Sequence, residues 1–120
     1  MNLIKDKSFK FAVEIVNLCK ILQNNKEFVL CKQLLQSGTS IGANYREAEK
    51  AESKLDFIHK LSIVLKECNE TEFWLDLLFE TDYIEKNIYN NLIAQLKDIT
   101  NMTTASINTT KKNLEKSTKK

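Results

Sequence analysis

SKLDFIHKLSIVLKECNETEFWLDLL, residues 53–78, is the stretch that decides the fold. Phe57, Leu61, Val64, Cys68, Thr71, Leu75 and Leu78 recur in steps of three and four, which places them along one face of an α-helix. Ser53 precedes Asp56 by three residues, the spacing of a side chain that caps the first turn, so the helix is predicted to begin just after Ser53.

The same period recurs on either side. Upstream, Phe11, Ile15, Leu18 and Leu22 form a stripe widened by Ala12, Val16 and Cys19, which predicts a first helix from about Asp6 to Gln23. Asn24 then stands three residues before Glu27 and reads as the cap of a second helix, with Leu30, Leu34, Ser37, Ile41, Asn44 and Ala48 on its seam and an end near Lys50. Downstream, Asp82 and Glu85 repeat the capping spacing. Ile84, Ile88, Leu92, Leu96, Ile99 and Met102 then form a fourth stripe that fades among Thr103, Thr104, Thr109 and Thr110, where fraying is expected near Asn108. Helices two to four each span roughly 25 residues, or about 37 Å. Short links between helices of that length predict an all-α, up-down-up-down antiparallel four-helix bundle over residues 1–110.

Composition agrees. A chain of 120 residues is the size of one domain, and with 42% hydrophobic residues it can fill one core. Two Gly and no Pro leave a sandwich or barrel short of turn residues. The net charge of +2 is unevenly placed. Lys111, Lys112, Lys116, Lys119 and Lys120 stand against Glu115 alone, so residues 111–120 read as a basic, flexible C-terminal tail, either an arm for nucleic acid or a solvated helix end. No apolar run approaches the ~20 residues that span a bilayer, and Met1 to Lys10 is too polar for a secretory signal, so a cytoplasmic location without membrane contact is expected. Cys19, Cys31 and Cys68 lack the spacing of a zinc site and sit in apolar helical stretches, where free buried thiols are expected.

Nothing points to catalysis. Asp56 precedes the one histidine, His59, by three residues, but a carboxylate-bridged metal centre in a bundle wants a second such pair. Phosphate-cradling glycine motifs are also missing, so no enzyme, metal or cofactor is expected. The unusual segment is QSGTSIGANYREAEK, residues 36–50, which sets Ser37, Gly38, Gly42 and Asn44 inside a predicted helix. Gly38 and Gly42 are four apart and share a face, which suits close helix packing within the chain or a subunit interface. Asn44 falls on the seam and needs a polar partner, for which Glu67, Glu70 and Ser37 are candidates. Phe73, Trp74, Leu75, Leu77, Leu78 and Phe79 exceed what one helix face can bury, so part of this cluster points to oligomerisation or to a wide contact with helix four.

QLLQSGTSIGANYREAEKAES (residues 33–53) and DFIHKLSIVLKECNETEFWLDLL (residues 56–78) resemble the four-helix bundle proteins of the 23S rRNA intervening sequence family. The positions that carry the resemblance include Ser37, Ser40, Ile41, Asn44, Glu47, Ala48, Ser53, Phe57, Lys60, Glu67, Glu70 and Trp74. The resemblance implies a left-handed bundle that assembles as a homopentamer, and it implies no known reaction. A similar fold serves as the basic, nucleic-acid-binding accessory protein of diversity-generating retroelements. The expectation is therefore a non-enzymatic scaffold that engages RNA or DNA through its basic tail, the alternative being a scaffold for a protein partner alone. Ser37, Gly38, Gly42, Asn44, Glu47, Glu67, Glu70 and Trp74 are its candidate subunit interface or internal polar network.

Overall fold

Ser53 caps the central helix as its spacing predicts: its hydroxyl accepts from the Asp56 N–H at 3.0 Å, and the Asp56 carboxylate accepts from the Glu52 N–H at 3.1 Å. In the computed structural model, which describes residues 2–118, this helix is the third of four: α1 (Leu3–Asn24), α2 (Val29–Glu49), α3 (Lys54–Glu80) and α4 (Lys86–Thr118). No strand occurs among the described residues. α1 begins a few residues before the expected Asp6, because the Asn2 side chain accepts from Lys5 N–H and Ile4 is already buried.

The two other expected caps are helix ends instead. Asn24 is the last residue of α1, and Lys26 follows in the left-handed region at φ 66°. Lys26 N–H then reaches the Gln23 carbonyl and Glu27 N–H the Leu22 carbonyl, each at 2.9 Å, the paired bonds of a Schellman ending. Asp82, also at φ 66°, ends α3 the same way, with Asp82 N–H on the Phe79 carbonyl and Tyr83 N–H on that of Leu78. A polar residue three before a glutamate fits either role, and the chain uses it as an exit. Glu27 still contributes to the start of α2, where its carboxylate accepts from Leu30 N–H at 2.7 Å.

Each helix packs on two others: α2 on α1 and α3, α4 on α3 and α1. The backbones of α1 and α3 nowhere come within 8 Å of each other, so these helices occupy opposite corners across the shared core, and the α1–α4 seam is the least extensive of the four. Phe11, Ile15, Leu22, Leu34, Ile41, Leu61, Leu75, Leu78, Leu96 and Ile99 fill the centre without solvent exposure, each stabilising the fold by about 1.5–3 kcal/mol. All ten are seam positions, whereas Val16 and Ile88, expected on the stripes of α1 and α4, stand more than a third exposed.

α4 does not fray near Asn108. Thr103 is fully buried and donates to the Ile99 carbonyl at 2.7 Å, Thr110 donates to that of Ser106 at 2.8 Å, and Ile107 is buried. Packing on one face and back-bonded hydroxyls on the helix itself offset the low propensity of threonine. The stretch with Lys111, Lys112 and Lys116 is therefore helical up to Thr118, where a flexible tail was expected, and Lys119 and Lys120 lie outside the described residues. Thr110 and Asn113 share a groove with Glu49 and Lys54, so α4 draws level with the first residue of α3 at Asn113 and continues beyond it.

Candidate functional site

The two glycines of α2 face α1. A Cβ on Gly38 would lie 3.0 Å from Ile15 Cγ2 and 3.1 Å from its Cγ1, while one on Gly42 would lie 3.4 Å from the Ser8 carbonyl oxygen. Their missing side chains let α1 and α2 approach closely inside the chain. Beside them Ser37 turns toward α3, its Oγ 3.0 Å from Thr71 Oγ1 in a buried contact. The single Thr71 proton is also offered to the Glu67 carbonyl at 2.7 Å, so one hydroxyl serves the helix and the interhelical contact.

Asn44 finds none of its three expected partners. Its amide donates to the Ser40 carbonyl one turn back at 2.8 Å, so a half-buried amide is satisfied within its own helix. Glu47 and Glu70 are exposed, and Glu67 is half-buried. Burial raises the Glu67 carboxyl above its ordinary value, with the neighbouring Glu70 charge adding to the rise. Trp74 and Phe73 form a T-shaped pair with ring centres 5.0 Å apart, and the buried Trp74 Nε1–H has no hydrogen-bond partner among the described residues. The candidate residues thus divide: Gly38, Gly42 and Ser37 hold helices together, while Glu47, Glu70 and the edge of Trp74 border solvent.

Lys111, Lys112 and Lys116 are exposed on the far end of α4. Among the described residues no three His, Cys, Asp or Glu side chains gather as metal ligands, and no helix is long and apolar enough to cross a membrane. The thiols are buried: Cys19 and Cys31 face each other across α1 and α2, each Sγ 3.5 Å from the other's carbonyl oxygen. Burial, and for Cys19 the adjoining Cys31, pushes the thiols of Cys19 and Cys68 well up, that of Cys68 to about 11. Neither is a ready nucleophile at neutral pH.

An outer face of α1 escaped the sequence reading. Phe9, Val13 and Val16 lie exposed beside Ala12, and the Arg46 guanidinium of α2 sits 5.4 Å from the centre of the Phe9 ring. Their spacing of four and three was the available signal, a second stripe turned away from the Phe11–Ile15 seam.

Comparison with known proteins fits this architecture. Residues 2–105 match the 23S rRNA-intervening sequence protein family. The chain belongs to that family. Among solved structures it is similar to a crystal structure, at 1.70 Å resolution, of a protein with unknown function from the S23 ribosomal protein family of Bacteroides thetaiotaomicron VPI-5482. The two share 55% identity over 88% of this chain and 98% of that one, with a TM-score of 0.86. Comparison with curated proteins gives no match. Membership of the 23S rRNA-intervening sequence protein family carries the four-helix fold and assigns no reaction.

Proposed function

We propose that this family member is a non-enzymatic, homo-oligomeric scaffold that binds nucleic acid, foremost structured RNA, through the basic end of α4. Its fold is an up-down-up-down, left-handed bundle, and its assembly a pentamer. Asn2 at the head of α1 bonds Glu49 and Tyr45 at the tail of α2, and Asp76 near the tail of α3 bonds Tyr89 near the head of α4; both contacts support antiparallel neighbours. The observation that carries the functional reading is the end of α4, which presents Lys111 and Lys112 in solvent level with the start of α3 and Lys116 beyond it. Lysines on a helix that leaves the bundle reach a phosphate backbone without disturbing any packing. Five copies of a +4 segment bring ~20 positive charges to one assembly, so contacts weak singly become avid together.

Sedimentation velocity, with a fluorescent structured RNA followed in its own channel, tests the reading. Co-sedimentation at low salt, release at high salt and loss on removing residues 111–120 are expected. A protein that ignores RNA at low salt refutes nucleic-acid binding. It then favours a scaffold for a protein partner, a reading supported by the exposed apolar face of α1.

A further inference from the structure

The chain carries two unlike apolar faces on opposite corners of the bundle. One is on α1, where Phe9 (56% exposed) and Val13 (44%) stand in the open with Arg46 against the Phe9 ring. The other is on α3, where Phe73 is 57% exposed and Trp74, in a T-shaped pair with it, keeps a buried N–H without a partner among the described residues. α1 and α3 lie diagonally across the bundle and both faces are exposed, so neither covers the other within one chain.

The charges around the faces are opposite in sign. The grooves beside Phe9 are lined by Lys5, Lys20 and Arg46 against Glu47, a net +2. The second half of α3, from Lys66 onward, sets that lysine against Glu67, Glu70, Glu72, Asp76 and Glu80, a net −4. Like faces would repel if they met. An α1 face meeting an α3 face instead joins an apolar centre to an apolar centre inside complementary rims, the usual anatomy of a specific contact.

We infer that the occupant of each face is a second copy of this chain, joined head to tail, with the basic α1 face of one copy on the acidic α3 face of the next. This rests on the oligomeric reading proposed above and specifies which surfaces make it. Both halves of the complementary pair are displayed by the same chain, which a partner of different sequence would not require. Because the two surfaces differ, the contact is heterologous, and repeated from copy to copy it closes into a ring when the rotation per copy divides a full turn.

Phe9→Asp and Phe73→Lys test this, since both side chains are exposed and neither substitution opens the core. Circular dichroism matching the unsubstituted protein establishes that each variant folds. In sedimentation velocity the unsubstituted protein is expected as an assembly, and each variant as a single 13.9 kDa chain at the same concentration. Mixed in equal amounts, the variants are expected to form complexes that neither makes alone, because the intact α3 face of the first meets the intact α1 face of the second. Variants that sediment like the unsubstituted assembly, or a mixture that stays monomeric well above the concentration at which that assembly forms, overturn the head-to-tail contact. An unsubstituted protein that is itself monomeric overturns the oligomeric reading instead.

Discussion

Gly38 and Gly42 are one helical turn apart on the same face, yet replacing each by alanine is expected to change stability in opposite directions. Alanine is better than glycine inside a helix by about 1 kcal/mol, and that gain is available at both positions. At Gly42 the new Cβ meets Ser8 backbone at 3.4 Å, an ordinary contact, so Gly42→Ala is expected to stabilise the fold by up to about 1 kcal/mol. At Gly38 the new Cβ lies 3.0 Å from Ile15 Cγ2, and Ile15 has no exposed surface into which to retreat. Overpacking of that kind costs about 1–3 kcal/mol, so Gly38→Ala nets from about zero to 2 kcal/mol of destabilisation. Leucine at that position falls at the upper end of the overpacking range or beyond it. Removing the obstruction should reverse the sign. In an Ile15→Ala background, itself less stable by about 2–5 kcal/mol, Gly38→Ala is expected to stabilise by about 1 kcal/mol. Urea unfolding followed at 222 nm, at one fixed protein concentration and with unchanged m, measures all five variants. Equal effects of alanine at positions 38 and 42, or no reversal in the Ile15→Ala background, would refute the steric argument.

Thr71→Val should lower stability by about 1 kcal/mol in the same assay, because it removes the hydroxyl paired with buried Ser37; an unchanged midpoint would show that Ser37 re-pairs at no cost. Cys68 should make stability fall at alkaline pH. Its folded-state thiol titrates near about 11 against an ordinary 9.0, so the unfolded chain releases its proton first and stability declines from about pH 9 to pH 11, by at most about 2–3 kcal/mol. A Cys68→Ala variant should lose that part of the slope, which pH-dependent urea titrations would read. The buried thiols should also resist a disulfide reagent such as dithionitrobenzoate until the protein unfolds, and rapid labelling of the native protein would contradict their burial. Replacing Lys111, Lys112 and Lys116 together by Glu should abolish RNA co-sedimentation without altering the melting temperature, and RNA binding that survives the change would move the interface elsewhere.

Helix number, order and seam were legible because the apolar period is unbroken. Leu61, Val64, Cys68, Thr71, Leu75 and Leu78 are all buried, as their spacing requires. The links were misread for a physical reason: Asn24 and Asp82 precede a glutamate by three, and the same polar spacing marks an entrance or an exit until the backbone bonds of Lys26 and Asp82 are known. The end of α4 was misread because propensity speaks against threonine, whereas Thr103 and Thr110 answer their own hydroxyls on the helix. The glycine pair could be placed on one face but not aimed. Only the closeness of Ile15 and Ser8 shows that the face turns inward. The exposed stripe of Phe9, Val13 and Val16 was visible as spacing, but it takes the full set of neighbours to establish that nothing among the described residues covers it.

The contacts at Glu49 give the molecule a polarity. Glu49 receives a hydrogen bond from Asn2 and shares a groove with Asn113, so the chain enters and leaves the bundle at one end, while the links carrying Lys26 and Asp82 adjoin the tails of α1 and α3. Rotation about a single axis keeps equivalent atoms at equal height. In a cyclic assembly every lysine-bearing helix end would therefore emerge on the same side, leaving a basic crown opposite a blunt base, and a polyanion could approach productively from one direction only.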